Sequence, residues 1–344
     1  MRIVVIRTSA MGDVALLVPV LNALKAQYPD VETILVTRKT FNAFFRQDRS
    51  LILFNPDFRE RHKGLWGIIR LFNDLNAIGK IDHVIDIHDV LRTKILALLF
   101  RLKGVQVSVV DKGRKEKHDL IKGRRKVQLK HTVERYCDTF ASAGLKILPS
   151  KGKSIYVSHV AEEIAQKLIG DSAVKNIGIA PFAKHPLKMW PEKYMQELIN
   201  ILSSNHQVRF WFFGGNDEIE QINSLASKNP GSMNLCGKLS LEEELAIISR
   251  LDMMIAMDSS NMHMAALCGI KVVSIWGGTD PFNGFGAWNQ PQEYSIRIPV
   301  DELTCRPCTV YGKGICRRGD LACMNWLTPE MVYQQITKLN ILLK

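Results

Sequence analysis

The sequence has no segment that would place it in a membrane or direct it to secretion. It contains no apolar run of the ~18 or more residues that a membrane-spanning helix needs. The N-terminal stretch is apolar, but Arg7 and Asp13 interrupt it, which argues against a signal peptide. The seven cysteines, an odd number, suit a reducing compartment better than a disulfide framework. We therefore expect a cytoplasmic protein, and 344 residues are enough for two domains.

Two common nucleotide-binding signatures are missing as well. The first predicted strand, residues 2–7, is followed by TSAMGD and not by Gly-x-Gly-x-x-Gly, so a dinucleotide-binding domain of the usual kind is poorly supported. The sequence Gly-x-x-x-x-Gly-Lys-Ser/Thr occurs nowhere, which excludes a P-loop protein. Any nucleotide must therefore bind through another arrangement.

Positive charge is abundant and concentrated. The formal net charge is +12, and residues 112–130 alone hold nine Lys or Arg against Glu116 and Asp119. Such a run suits nucleic acid, an anionic membrane surface or a phosphorylated acceptor, or it is a solvated loop with no partner. The run contains no aromatic residue, and no known nucleic-acid module is recognisable. We therefore expect no nucleic-acid partner.

Strands and helices alternate along the chain, which predicts open parallel α/β sheets. The pattern breaks at the Pro-, Ser- and Gly-containing residues 148–153 and then begins again, with a possible short strand at 155–157. We expect two Rossmann-like domains, residues 1–155 and 156–328, and a terminal helix over 329–344. The predicted strands are residues 2–7, 31–37, 82–89, 105–110, 176–180, 208–213, 233–236, 253–257 and 271–276.

Polar residues gather in the stretch 251–281. The apolar run 253–257 has the length of a buried strand, and it ends at a group of side chains with much hydrogen-bonding capacity. A helix that begins just after a parallel strand directs free N–H groups and its dipole at an anion. An ordinary βαβ unit is the alternative interpretation. The polar residues of the stretch are Asp258, Ser259, Ser260, His263, Thr279 and Asp280.

Two further groups carry possible chemistry. Asp13 opens the first predicted helix, where it either complements the helix dipole or acts as a general base at the sheet edge. Cys305, Cys308, Cys316 and Cys323 lie within 19 residues, with one Cys-x-x-Cys pair. This spacing favours a structural zinc site, with iron–sulfur ligation, a cross-link or free thiols as the alternatives. A catalytic metal is not expected there.

Several segments in both halves carry a recognisable pattern. They are IVVIRTSAMGDVALLVPVLNALK, VIDIHDVLRTKIL, HTVERYCD, KMWPEKY, FFGGNDE, GKLSLEE, DSSNMHMAALCG with GGTDP, and the cysteine-rich tail. In this order, and over essentially the whole chain, they resemble glycosyltransferase family 9, the ADP-heptose:lipopolysaccharide heptosyltransferases.

The resemblance implies a GT-B fold, in which two Rossmann-like domains face each other across a cleft, with the acceptor on the first and the nucleotide sugar on the second. It implies inverting, metal-independent transfer, and the absence of any Asp-x-Asp agrees with the second point. The residues that match the family as catalytic are Asp13, as base, and Lys188, as a cation for the leaving diphosphate. Those that match donor-binding positions are Glu242 at the ribose and Asp258 at sugar hydroxyls. Ser259, Ser260 and Thr279 are assigned to the donor with them, and His263 either reaches the phosphates or packs in the core. Those assigned to the acceptor are Ser9, Gly12 and Arg92.

The partners implied are ADP-heptose and a lipid A–core acceptor on the cytoplasmic face of the inner membrane. The basic residues 112–130 would then contact the anionic membrane surface. Ser260 departs from the family, which often has Gly there, so another nucleotide sugar or acceptor remains an alternative, as does a nucleotide-sugar binding protein without turnover. The oligomeric state is not indicated by the sequence.

Overall fold

The computed structural model describes residues 1–149, 151–170 and 174–342. The chain forms two compact units: Met1–Lys112 with Thr132–Tyr156, and Gly113–His131 with Val157–Lys344. Each unit is built on one sheet of parallel strands, as the alternating pattern predicts. Among the described residues, no helix is both long and apolar enough to cross a membrane.

The first sheet has the strand order β3-β2-β1-β4-β5, with every neighbouring pair parallel. The central strand β1 is almost wholly apolar and buried, because a parallel sheet is covered by helices on both faces. The short strand β3 is not predicted by the sequence. The strands are β1 (Arg2–Ile6), β2 (Glu32–Val36), β3 (Ile52–Phe54), β4 (His83–Asp86) and β5 (Gln106–Val109).

The helix predicted after β1 is divided in two. Helix α1 ends at Ala15, and α2 begins at Val18 with Pro19 in its first turn. Proline lacks the N–H that an uninterrupted helix would need but is favoured at a helix start, which explains the division. The helices up to residue 141 are α1 (Met11–Ala15), α2 (Val18–Gln27), α3 (Gly64–Ala77), α4 (Leu91–Leu102), α5 (Arg114–Ile121) and α6 (Thr132–Ala141).

The second sheet has the order β11-β10-β9-β6-β7-β8, again with parallel neighbours. Its central strand β9 matches the predicted strand 253–257 and is completely buried. The predicted strand at 155–157 is not formed. The strands are β6 (Lys175–Ala180), β7 (Val208–Phe212), β8 (Met233–Asn234), β9 (Met253–Met257), β10 (Lys271–Ile275) and β11 (Ser295–Ile296).

The second unit holds the remaining helices. The terminal helix is shorter than predicted, since it ends at Lys338, and residues 343 and 344 of the prediction lie outside the described residues. The helices are α7 (His159–Ile169), α8 (Glu192–Asn205), α9 (Ile219–Ser227), α10 (Leu241–Ile248), α11 (Ser260–Leu267), α12 (Ala322–Asn325) and α13 (Pro329–Lys338).

Residues 113–131 belong to the second unit, although the sequence places them with the first. They are not a simple loop, because they contain α5. The Leu129 N–H donates to the Phe282 carbonyl over 2.9 Å, and the Gln128 amide donates to the Pro281 carbonyl over 3.1 Å. The Lys117 ammonium lies 4.1 Å from the centre of the Phe285 ring. These contacts attach α5 and the end of the basic run to the loop that follows β10.

Both sheets reverse their strand order next to the central strand. In the first sheet the reversal falls between β1 and β4, and in the second between β9 and β6. Ligands of open α/β sheets bind at the carboxyl ends of strands at such reversals. A ligand site is therefore expected among the residues that directly follow these four strands.

Candidate functional site

At the reversal of the first sheet, Arg7 holds Asp13. Arg7 follows β1, and its guanidinium lies 2.6 Å from the Asp13 carboxylate. A second guanidinium nitrogen donates to the Ile87 carbonyl over 2.6 Å, so Arg7 ties the ends of β1 and β4 together. The Tyr136 hydroxyl donates to the Asp13 carbonyl over 3.2 Å. The Asp13 side chain is 29% exposed while that of Arg7 is 8% exposed, so this edge presents the carboxylate rather than the cation.

His88 lies beside this ion pair and links it to the Ser9 loop. Its Nδ1 is 3.1 Å from the Thr8 hydroxyl and its Nε2 is 3.2 Å from the Ser9 hydroxyl. Burial, with help from the charges of Arg7 and Lys112, lowers the pKa of His88 to about 3. The ring is therefore neutral at pH 7, with one nitrogen donating and the other accepting a hydrogen bond. His88 is a site residue that the sequence does not reveal, although it lies in VIDIHDVLRTKIL, one of the segments similar to the family.

The other predicted acceptor residues lie in the same unit. Gly12 is buried within α1, one residue before Asp13. Arg92 lies in the first turn of α4 and stacks on Phe58, with 3.9 Å between the guanidinium carbon and the ring centre. Arg92 also lowers the pKa of His88, as Arg7 and Lys112 do, while the Asp13 carboxylate raises it. Charges of both signs therefore surround the His88 ring.

At the reversal of the second sheet, Lys188 and Thr279 both bind Asp258. Asp258 directly follows β9; the Lys188 ammonium lies 2.8 Å from its Oδ2, and the Thr279 hydroxyl donates to the same oxygen over 2.8 Å. Three predicted residues from distant parts of the chain therefore meet. The carboxylate is the more buried partner, with Asp258 7% and Lys188 16% exposed. Lysine has three donor protons, and the bond to Asp258 uses one of them.

Helix α11 begins immediately after this cluster. Ser259 is its N-cap residue and Ser260 its first residue. Serine at an N-cap commonly caps the helix with its hydroxyl. The Ser259 side chain makes no such bond, and among the described residues its buried hydroxyl has no hydrogen-bond partner. The hydroxyl is thus available to a ligand at the positive end of the helix. His263 lies one turn further along and is buried.

Glu242 lies in the first turn of α10, where its Oε1 accepts a bond from the Ser158 N–H over 3.4 Å. The N-cap of the helix is Ser240, which shares a capping box with Glu243. The helix start is therefore satisfied without Glu242. Its carboxylate is not needed as a cap, which leaves a ligand role open.

Arg306, which no sequence motif indicates, holds the loop that carries Thr279. Its buried guanidinium donates to the carbonyls of Gly277 over 2.6 Å and Thr279 over 3.0 Å. It also bonds the Ile298 carbonyl and lies 3.3 Å from the completely buried Asp280 carboxylate. Arg306 stands between a cysteine and a proline, and no motif marks it as a buried ion. The GGTDP motif contains Asp280, and a buried carboxylate needs a cationic partner, but the motif does not indicate which residue that partner is.

The four clustered cysteines lie against the same loop. All four are free thiols and line one pocket with Leu187 and Gly278. The Cys308 N–H donates to the Gly278 carbonyl over 3.0 Å, and burial raises the pKa of Cys323 to about 11. A β-carbon at Gly312 would lie 2.5 Å from Lys188 Cγ, and its φ of +78° also favours glycine. Residues 305–323 thus pack against both the GGTDP loop and Lys188.

Among the described residues, no group of three or more His, Cys, Asp or Glu is placed to hold a metal ion. The contacts of Cys308 with Gly278 and of Gly312 with Lys188 show that the cysteine segment packs against the site.

Comparison with known proteins agrees with the two-unit fold. A model of glycosyltransferase family 9 (heptosyltransferase) matches residues 68–313. The chain is 25% identical to lipooligosaccharide heptosyltransferase 2 of Campylobacter jejuni subsp. jejuni serotype O:6, over 99% of both chains. Among solved structures it is similar to the family 9 glycosyl transferase from Veillonella parvula DSM 2008, with a TM-score of 0.77 and 20% identity over 98% of this chain and 96% of that one.

A second similar structure is E. coli heptosyltransferase WaaC with ADP, with a TM-score of 0.69 and 23% identity over 98% of this chain and 99% of that one. Such structural likeness confirms the predicted GT-B fold, and the family match extends over more than half of the sequence. The chain belongs to glycosyltransferase family 9, the heptosyltransferase family, and is a glycosyltransferase.

Proposed function

We propose that the protein transfers a heptose from ADP-heptose to the inner core of lipopolysaccharide, with inversion and without a catalytic metal. The observation that carries the proposal is the meeting of Lys188, Asp258 and Thr279 at the start of α11. The relatives are named heptosyltransferases, and one similar structure is named with ADP, which supports the donor. A different nucleotide sugar remains the alternative because of Ser260.

The second unit would bind the donor and stabilise the leaving group. In glycosyl transfer the anomeric carbon becomes oxocarbenium-like while negative charge grows on the departing diphosphate. The Lys188 ammonium, the N–H groups at the start of α11 and the Ser259 hydroxyl would receive that charge. Asp258 would hold sugar hydroxyls and keep Lys188 in place. Thr279, which is buried behind Asp258, would position that carboxylate.

The remaining donor residues have roles that follow from their positions. Glu242 would accept hydrogen bonds from the ribose hydroxyls, since the cap of α10 does not need it. His263 and Ser260, in the first turns of α11, would contact the diphosphate. A serine hydroxyl at 260 adds a hydrogen-bond donor where the family often has Gly. The assignment of Glu242 is supported by the resemblance and by its place in α10, and those of Ser260 and His263 by the resemblance and by their place in α11.

The first unit would bind the acceptor and activate its hydroxyl. Asp13 accepts the hydroxyl proton while the acceptor oxygen forms a bond to the anomeric carbon. The bond from that carbon to the diphosphate oxygen breaks on the opposite face, so the configuration inverts and ADP departs with the electron pair. Arg7 holds the carboxylate toward the ligand, and Ser9, Gly12 and Arg92 would line the acceptor site.

Positive charge would also guide the protein to its acceptor. A lipid A–core acceptor carries phosphates and carboxylates and lies in the cytoplasmic face of the inner membrane. Most of the basic residues 112–130 have exposed side chains, which supports a salt-sensitive peripheral contact with that anionic surface. The proposed location is therefore cytoplasmic and peripheral to the membrane.

We also propose a structural zinc site at Cys305, Cys308, Cys316 and Cys323, which is supported by their spacing and their shared pocket. The metal would stiffen the segment that packs on Lys188 and would take no part in transfer. Elemental analysis of the purified chain tests it: about one zinc or iron per chain supports a metal, and neither metal contradicts it.

A thermal-shift series with ADP-, GDP-, UDP- and CMP-sugars tests the donor. A ligand that binds the folded state raises its apparent stability by RT ln(1 + [L]/Kd), so ADP-heptose and ADP should raise the melting temperature most. Stabilisation by another nucleotide alone would contradict the donor assignment.

Transfer assayed in EDTA should be unchanged, and a requirement for a divalent ion would contradict the metal-free mechanism.

A further inference from the structure

Helix α4 carries apolar residues on two opposite faces. One face is buried against the sheet and includes Leu96 and Phe100. On the other face Leu91, Leu98 and Leu102 are 77%, 52% and 76% exposed. Because a helix turns about 100° per residue, positions seven and eleven apart fall on the same side, so these leucines form one continuous stripe. Core packing of the unit does not explain this second stripe.

The neighbouring helix α3 extends the exposed apolar surface. The Phe72 and Phe100 rings are 4.9 Å apart, so α3 and α4 lie side by side. Both helices lead into parallel strands of the same sheet and therefore run in the same direction. This register brings the first turn of α3 level with the first turn of α4. Leu65 and Trp66, which lie in that turn of α3, are 60% and 75% exposed.

Charge identifies the partner of this surface. Residues 90–110 contain four Lys or Arg and no Asp or Glu. Lys94 and Arg101 lie beside the leucine stripe, and both are exposed, although the Lys94 ammonium also lies 3.5 Å from the buried Asp89 carboxylate. Leucines and a tryptophan bordered by cationic side chains are typical of helices that lie on anionic bilayers, where the apolar groups enter the interface and the cations reach the headgroups. A second copy of the chain fits less well, since a two-fold contact would bring like charges together.

We propose that the α4 face, defined as Leu91, Leu98 and Leu102 of α4 together with Trp66 of the neighbouring α3, docks on the surface of an anionic lipid bilayer. This deepens the proposed function, since it names the surface that would bring the first unit to a lipid-linked acceptor. The leucines supply the apolar contact, and the cations supply the preference for anionic lipid. This surface is distinct from the basic residues 112–130, which belong to the second unit.

Vesicle co-sedimentation of the full chain tests the docking surface. The wild type should bind phosphatidylglycerol-containing vesicles and bind pure phosphatidylcholine weakly. Leu98→Glu/Leu102→Glu should lower the affinity for anionic vesicles at least about tenfold, because two apolar contacts are lost and two negative charges are added. Both leucines are exposed, so the melting temperature and the affinity for ADP should not change. The matched control is Val160→Glu on α7, where the side chain is 67% exposed.

Three results would overturn the proposal. Unchanged vesicle binding by the double variant, with loss on neutralising residues 112–130, would put the contact on the basic run. Equal loss in Val160→Glu would show a non-specific effect. A wild type that self-associates in sedimentation velocity, with a monomeric double variant, would make the α4 face a contact between copies. A fourth result separates the two proposals. If the wild type does not turn over ADP-heptose, but the double leucine variant binds vesicles more weakly than the wild type does, the proposed function is contradicted and the docking surface is supported.

Discussion

The two units hold the same kind of ion pair in opposite orientations. In the first, a buried Arg7 supports a partly exposed Asp13, and in the second a buried Asp258 supports the more exposed Lys188. Each pair follows the central strand at the reversal of its sheet. The first unit thus offers a carboxylate to its ligand and the second offers an ammonium.

This difference matches what glycosyl transfer requires. The attacking hydroxyl must lose a proton, which a carboxylate can accept, and the departing diphosphate gains charge, which a cation can stabilise. Under the proposed mechanism, a common Rossmann-like frame would support opposite chemistry by exchanging which partner of the ion pair is buried.

Asp13→Asn should have the largest effect on turnover. The amide keeps the shape of the side chain but cannot accept the hydroxyl proton, so kcat should fall by about 10²–10⁴. Steady-state assays with ADP-heptose measure this, and Asp30→Asn, at an exposed position of the same unit, is the control. Turnover within a few-fold of wild type would remove Asp13 as the base.

Arg306→Met should strongly destabilise the second unit. Among the described residues, it leaves the completely buried Asp280 with Arg297, at 3.2 Å, as its remaining ion-pair partner, and it removes the donors to several carbonyls. Breaking a buried ion pair costs about 3–5 kcal/mol of unfolding free energy. Urea unfolding measures the loss, and Arg317→Met on the exposed part of the same segment should change little. Equal stability of the two variants would show that Arg306 does not hold the GGTDP loop.

Lys188→Met should reduce kcat by about 10²–10³, the range for removing one group that stabilises transition-state charge. Methionine retains much of the aliphatic contact with residues 305–323, but it leaves the buried Asp258 carboxylate without its ammonium. Stability should therefore fall as well, and kcat is compared at a temperature where the variant is folded. Lys193→Met, on the exposed face of α8, controls for the loss of one positive charge. A similar kcat in both variants would contradict the role of Lys188.

Glu244→Gln should have the smallest effect, on stability alone and only above acidic pH. Burial raises the pKa of Glu244 from 4.5 to about 7. The unfolded chain therefore releases this proton before the folded chain does, and stability is lost as pH rises from 4.5 through 7. At pH 8 the variant should be about 2–3 kcal/mol more stable than wild type, and at pH 4 equal to it. Melting curves measure this, with the exposed Glu197→Gln as the control; equal shifts at both pH values would contradict it.

Much of the fold follows from the sequence pattern. The strand at 253–257 is found as predicted because five consecutive buried apolar residues admit few other structures. The strands Ile52–Phe54 and Ser295–Ile296 are too short to show any periodicity. Helix Arg114–Ile121 is not predictable from the sequence, because most of its residues are charged and its few apolar residues show no helical periodicity. Tertiary contacts stabilise it instead.

The site is predictable where chemistry and position coincide. Lys188, Asp258 and Thr279 are far apart in sequence, yet they meet because each follows a strand near the same reversal. Arg306 and His88 were missed because their roles come from burial among particular carbonyls and hydroxyls. Single-sequence patterns carry no information on such neighbours.

The affinity for ADP of two variants, measured by titration calorimetry, tests the division of roles most directly. If the second unit alone holds the leaving nucleotide, Asp13→Asn should bind ADP like the wild type although its kcat has collapsed. Lys188→Met should bind ADP at least about tenfold more weakly, since it loses a charge-assisted bond to phosphate. Weakened ADP binding in Asp13→Asn together with wild-type affinity in Lys188→Met would contradict the account.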